Sequence, residues 1–295
     1  MRLFFLAILV VSLTRSGSAN DLAIDVATFQ RTVRVVNDDQ LRKAITAAKP
    51  GDDIVLLPGV YRGGVGATLV GRPDGPIRLR AHLPDLPPII RGGHEGLKLS
   101  SCHHLILQDL IFEGAAENGI NIDDGGQIGS PATHIQLTRV VIREAGRQGN
   151  QDGLKMSGVD HFLLQECRFE GCGAQGQQVD LVGCHQGKVV DCVFDGQDRA
   201  PLGFQAKGGS SDIVVENCRF FGIVERGLQI GGTTGKTLFR PAFDGVEARN
   251  VLVTRCCFSG IESPITFVNS DSSLVEESIF DSPTNWFIRI LQESN

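Results

Sequence analysis

The chain has 295 residues, 36 of them glycine and 18 aromatic (sixteen of those phenylalanine), with 41% hydrophobic and 21% charged side chains. That balance excludes a disordered chain, a collagen and a multispan membrane protein. The formal net charge of −6 argues against nucleic acid as a partner.

At the N-terminus, Arg2 precedes an apolar run from Leu3 to Leu13, and the small residues Gly17-Ser18-Ala19 follow it. This is the pattern of a secretory signal peptide cleaved near Ala19, and eleven residues are too few to span a bilayer. The expected organisation is a signal peptide over 1–19, an N-terminal strand and capping helix over 20–49, and one repetitive domain over 50–295. The expected product is a monomer in the periplasm or the medium. Cleavage removes Arg2 and Arg15 but no acid, which moves the charge from −6 to −8. Such a chain repels an acidic polysaccharide as a whole, so that substrate requires a local cationic strip or a bridging metal ion.

Residues Asp38 to Ala48 (DDQLRKAITAA) carry apolar positions at helical spacing, and Pro50-Gly51-Asp52 ends the segment. This helix is expected to cap one end of the repeat, covering apolar core and unpaired strand edge. Ile54 to Leu57 is then expected to be the first strand of the repeat.

A repeating unit follows: HLILQDLIFEG at 104–114, HFLLQECRFEG at 161–171, KVVDCVFDG at 188–196, IVVENCRFFG at 213–222 and NVLVTRCCFSG at 250–260, with weaker copies at 134–146 and 272–282. The anchors Phe112, Ile142, Phe169, Phe194, Phe220, Phe258 and Phe280 are 22 to 38 residues apart, within solenoid repeat lengths. Each unit holds short alternating apolar segments separated by Gly, Asn, Asp or Ser, and none holds a long helix-period stretch. In these features the chain, over roughly residues 33 to 291, resembles the right-handed parallel β-helix proteins, a group dominated by polysaccharide lyases and hydrolases. The resemblance implies an all-β fold, a right-handed single-stranded parallel β-helix with a short N-terminal capping helix.

Cys167, Cys192, Cys218 and Cys256 share a register two residues before the anchor. Stacked coils about 4.8 Å apart would superpose them as an inward ladder of thiols. Export and that spacing also permit bridges, although parallel neighbours already fill the core. Cys167 and Cys172 lack a matching ligand pair for zinc, and Cys256-Cys257 point to opposite faces of a strand. The preceding position, occupied by Asp109, Arg139, Glu166, Asp191, Asn217, Arg255 and Glu277, mixes charge signs. Pairing of Arg139 with Asp109 and Glu166, and of Arg255 with Glu277, is expected there. His103-His104 reads as a turn.

The strand after each anchor loop has polar outward positions: GINID at 119–123, GLKMS at 153–157, VDLVG at 179–183, GFQAK at 203–207, GLQIG at 227–231 and ITFVN at 265–269. Alternation sends Ile120, Ile122, Leu154, Met156, Val179, Leu181, Phe204, Ala206, Leu228 and Ile230 inward. One outward column then reads Asn121, Lys155, Asp180, Gln205, Gln229 and the next Asp123, Ser157, Val182, Lys207, Gly231. Asp180 is expected between Lys155 and Lys207, with Asp152 and Arg226 at the edge of the same strip. The segments Glu144–Asp152, Asp195–Leu202 and Gly232–Glu247, the last containing Arg240, are expected to be long loops walling a groove. GGTTGKT at 231–237 is one residue short of a phosphate loop between its glycines and reads as a turn.

The segment 151–183 resembles the calcium-dependent pectate lyases, whose Asp-Gly is followed one coil later by Asp-Asp-x-x-Asp. Asp152 and Asp180 match the first and last acids, while Gly176 and Gln177 replace the intervening pair. The resemblance implies β-elimination on a uronic-acid polymer. Asp152 and Asp180 would hold Ca2+, Lys207 or Lys155 would act as base, and Arg226 or Arg240 would grip substrate carboxylates, with Gln205, Gln229 and Asp123 completing the binding wall. An ordinary ion pair is the competing reading of Lys155 and Asp180. Asp123-Asp124 resembles the paired acids of polygalacturonases, but Gly-His-Gly and Arg-Ile-Lys are absent, which weakens a hydrolase reading. A noncatalytic glycan-binding or scaffold protein is the remaining alternative.

Overall fold

Alternating apolar residues can be buried on one side only if each strand lies flat against a common interior, and the coils of this chain achieve that by stacking. The computed structural model describes residues 22–24 and 29–292, wound as parallel strands in two long sheets of 11 and 16 strands. The expected parallel β-helix is therefore the architecture adopted. The signal-peptide assignment over 1–19 lies outside the described residues. Among the described residues, no helix is long and apolar enough to cross a membrane.

The anchors stack in register along the whole molecule, Phe112 beside Ile142, then Phe169, Phe194, Phe220, Phe258 and Phe280. Ring centroids from Phe169 to Phe280 are 5.0, 4.3, 4.6 and 5.5 Å apart, so each ring packs on the next coil's ring as well as on the core. The four ladder cysteines are buried and free. Their thiols lie against main-chain carbonyls of the preceding coil, as Cys192 Sγ does at 3.5 Å from Leu164 O and Cys218 Sγ at 3.5 Å from Val189 O. Burial pushes the neighbouring thiols of Cys172 and Cys184 up to about 12, which keeps them protonated and unreactive.

The column before the ladder is a corner. Asp109, Arg139, Glu166, Asp191, Asn217, Arg255 and Glu277 all have φ between 47° and 57°, a left-handed conformation that turns each coil from the first sheet to the anchor strand. Arg139 pairs with Asp109 at 2.6 Å, while Glu166 acts on it only at longer range. Arg255 reaches Glu277 at 3.5 Å and also pairs with Glu216. His103-His104 is not a turn. It begins the strand His103–Gln108, with His104 at a second left-handed column and its ring stacked 4.4 Å from that of His134.

The helix runs Asp38–Thr46, capped by the Asn37 side chain, which accepts from Gln40 N at 3.0 Å, and it buries Leu41, Ala44 and Ile45. A strand at Arg31–Val35 precedes the helix and pairs with Asp52–Leu56, which begins two residues before the expected Ile54. Asp195–Leu202 is not a loop. It belongs to one strand, Val193–Lys207, which with Arg219–Gly231 runs unbroken through the corner by shifting register between Asp195 and Leu202. Those two strands join the anchor row and the following row into the 16-stranded sheet. At the C-terminal end the inward column emerges into solvent: Ile230 is fully buried, whereas Ile290, two coils on, is 78% exposed.

Candidate functional site

The row of strands after the anchors has the register that alternation requires. Asn121, Lys155, Asp180, Gln205 and Gln229 are direct partners on successive coils, and so are Asp123, Ser157, Val182 and Lys207. All ten residues expected inward are fully buried. Two features flank the wall. The loop ending at Asp152 enters it at the strands' N-terminal edge, and the insertion after Gly231, with a short 3-10 turn at Lys236–Leu238, leaves at the opposite edge.

The structure brings Lys155, Asp180, Lys207 and Asp152 together. Lys155 Nζ forms an ion pair with Asp180 Oδ2 and lies 3.6 Å from Asp152 Oδ2, and Lys207 Nζ lies 3.2 Å from the same Asp180 oxygen. Lys207 also donates to Gln205 Oε1 at 3.2 Å. Asp152 and Asp180 are 3% and 1% exposed, so their charges are removed from water and depend on these partners. Burial, together with Asp180 opposite, pushes the Asp152 carboxyl up to about 7. Burial would lower Lys155, but Asp180 and Asp152 outweigh it and hold the ammonium above the ordinary lysine value. Lys155 is therefore a fixed cation.

Buried polar atoms normally find partners. Among the described residues, six buried side-chain polar atoms have no hydrogen-bond partner, and three of them belong to this wall: Asp180 Oδ1, Gln177 Oε1 and Arg226 Nε. Arg226 donates to Gln229 Oε1 through Nη1, which aims its guanidinium along the wall. A cavity of about 370 Å³ is lined by two of these residues, Gln177 and Arg226, and otherwise by Ala174–Gly176, Pro201–Leu202 and Glu225. A larger cavity of about 530 Å³ lies at the C-terminal end, near Phe267 and Ile290, with Asp271 as its one titratable lining residue. It lacks the convergent charges that chemistry needs.

Three other expected site residues are committed elsewhere. Gln205 donates to Gly231 O at 3.0 Å while accepting from Lys207. Asp123 is paired with Lys98 and accepts from Gly125 N at 2.9 Å. Arg240 is held bidentately by Asp160 and donates to Gly183 O at 2.9 Å, which makes it a clamp for the insertion. As they stand, Asp152 and Asp180 do not form a calcium cage: Lys155 sits between them, and Asp152 Oδ1 already accepts from Gln177 N at 2.8 Å. Among the described residues there is no group of three His, Cys, Asp or Glu side chains that could hold a metal, whereas Ca2+ takes six to eight oxygens.

A family model described as "right handed beta helix region" matches residues 89–244, more than half of the chain. The chain belongs to this right-handed β-helix family. An alginate lyase from Paenibacillus sp. str. FPU-7 superposes with a TM-score of 0.67 at 19% identity, over 90% of this chain and 99% of that one. ORF18 of Geobacillus virus E2 follows with 0.52 at 11% identity, over 89% of this chain and 61% of that one. The Streptococcus pneumoniae surface protein and adhesin PfbA gives 0.50 at 12% identity, over 82% of this chain and 68% of that one. At these identities the likeness is one of fold, and a fold does not carry a function. No curated protein matches the sequence.

In this β-helix protein the supporting residues were not visible in the sequence. Asn118 Oδ1 accepts from Asp152 N at 2.8 Å and so fixes the carboxylate at the strand entrance. Gly176 keeps that entrance open, because a Cβ there would lie 2.8 Å from Asp152 Oδ1. Glu247, fully buried, accepts from Thr234 N and from Gly208 N, fastening the 231–237 turn to the residue after Lys207. The signal that could have found Gln177 is its place one coil after Asp152, where the sequence offers an amide between a glycine and a second glutamine.

Proposed function

We propose that the protein is a carbohydrate-active enzyme that cleaves a uronic-acid polysaccharide by β-elimination. The observation that carries this reading is the Lys207–Asp180–Lys155 cluster on an outward wall, where a buried carboxylate holds two lysines and keeps one oxygen unpartnered. The fold likeness to an alginate lyase supports it and makes alginate the first polymer to test.

In this reading Lys207, in its neutral form, takes the proton α to the uronate carboxylate. The electron pair left behind forms the new double bond, and the glycosidic oxygen departs from the adjacent carbon with the electrons of its broken bond. Negative charge grows on the substrate carboxylate, so fixed cations nearby lower the barrier. Lys155 supplies one such cation, and Arg226, with Nε free to donate, supplies a second further along the wall. Gln205 and Gln229, their amides bonded within the wall, position Lys207 and Arg226, Asp123 extends the wall past Asn121, and Arg240 shapes its edge through the insertion.

Alginate, pectate and glycosaminoglycans are to be incubated with the exported protein while the ultraviolet absorbance of unsaturated uronate is followed. The expected result is product from at least one polymer, lost in Lys207→Met. No product from any of them, together with retained glycan binding, would favour the noncatalytic binder, a reading to which the fold likeness with a surface adhesin lends some weight.

A further inference from the structure

Two carboxylates on adjoining coils, each almost fully removed from water, cannot both ionise without a cation between them. In a site built for calcium that cation is the metal, surrounded by six to eight oxygens. Here the place is taken by an ammonium. Lys155 is the direct register partner of Asp180 and lies three residues after Asp152, so its side chain starts on the same rung and passes between both acids. It pairs with Asp180 Oδ2 and lies 3.6 Å from Asp152 Oδ2, while Lys207 Nζ approaches Asp180 Oδ2 at 3.2 Å. In the resting protein the two lysines alone offset the charge of the acids, with no ion needed, and in the lyase reading Lys207 is the one that gives up its proton for turnover while Lys155 stays charged. One oxygen is left over: Asp180 Oδ1 is buried, has no partner and belongs to a side chain that is 1% exposed.

We propose that Lys155 is a built-in replacement for a divalent cation, that the wild-type protein works without one, and that removing the lysine head group turns Asp152 and Asp180 into a divalent-cation site. The vacated position is bounded by Asp152 Oδ2 and Asp180 Oδ2, the hard anionic donors that a calcium ion takes, with the unpartnered Asp180 Oδ1 on the same carboxylate. The activity part of this inference rests on the lyase reading, whereas the binding part does not.

The test is calcium titration of the wild-type protein and of Lys155→Ala, read by thermal unfolding and calorimetry. The wild-type protein is expected to give no saturable heat and no shift in Tm, and chelator is expected to leave its turnover unchanged. Lys155→Ala is expected to unfold at a lower temperature in chelator and to recover several degrees, saturably, as calcium rises well above its Kd. The double variant Lys155→Ala/Asp180→Asn is expected to lose that recovery. Saturable calcium binding by the wild-type protein that disappears in Asp180→Asn would overturn the proposal, whether or not Lys155→Ala folds. So would a folded Lys155→Ala that gains no calcium response. Because these readouts are thermal and calorimetric, they stand even if no polymer is cleaved, an outcome that would refute only the lyase reading.

Discussion

Asp160 and Asp180 are both carboxylates gripped by two basic side chains, and they lie one coil apart on opposite sides of a turn. Around Asp160 every group is satisfied: Arg240 binds both oxygens, His185 Nδ1 meets Oδ1 at 3.1 Å, and His185 Nε2 faces Arg240 O and Gly209 O at 2.9 and 3.1 Å. Burial would raise that carboxyl, but hydrogen bonds from His185 and Arg240 hold it down at about 2. Around Asp180 the arrangement is incomplete, with one oxygen orphaned and a second acid, Asp152, displaced in the other direction, up to about 7. The difference separates a clamp from a site. A cluster that only fastens an insertion closes its hydrogen bonds within the chain, whereas one that meets a ligand leaves donors, acceptors and charge to be completed from outside.

Removing one cation from each cluster tells the clamp from the site. Lys207→Met is expected to cut turnover by about 100-fold or more, the usual range for losing a general base, with only a modest loss of stability because Lys155 still pairs with Asp180. Arg240→Met is expected to do the reverse. It strands Asp160 and His185 and costs about 2 kcal/mol of stability, part of the penalty for breaking a partly buried ion pair, with a smaller effect on turnover. Equal loss of stability in the two variants, by chemical denaturation, would erase the distinction.

The pH dependence of stability sharpens it further. Asp160 ionises in the folded chain at about 2 but in the unfolded chain near 3.8, so its contribution is full above about pH 4 and is lost as pH falls toward 2. Asp160→Asn should flatten that acid limb. Asp152 behaves oppositely. Between about pH 4 and 7 the folded chain keeps a proton that the unfolded chain has lost, so stability declines as pH rises through that window. Asp152→Asn should remove the decline, a change visible in urea midpoints measured from pH 4 to 8. The smallest expected effect is that of Gln177→Ala, which deletes an orphaned acceptor: stability within about 0.5 kcal/mol of wild type and, on a cleaved polymer, KM raised a few-fold with kcat little changed.

Residue order alone set the columns. A strict period of two along each strand and a coil of some 25 residues were enough to place Phe169 under Phe194, Cys192 under Cys218, and Lys155 beside Asp180, because parallel coils cannot slip by one residue without turning core side chains to solvent. The direction and company of long side chains depend instead on packing in three dimensions. That Arg240, distant in the chain, would spend its charge on Asp160 rather than on the wall depends on how the insertion folds back, and periodicity does not specify that path. The left-handed corners at Asp109 through Glu277 and the unbroken strand through Asp195–Leu202 are equally invisible locally, since a stack of neighbouring coils stabilises backbone conformations that each residue alone would disfavour. The balance of the Asp180 cluster belongs to the same class. Which oxygen is left without a partner is settled by how side chains of neighbouring coils meet, which folding, not residue order, sets.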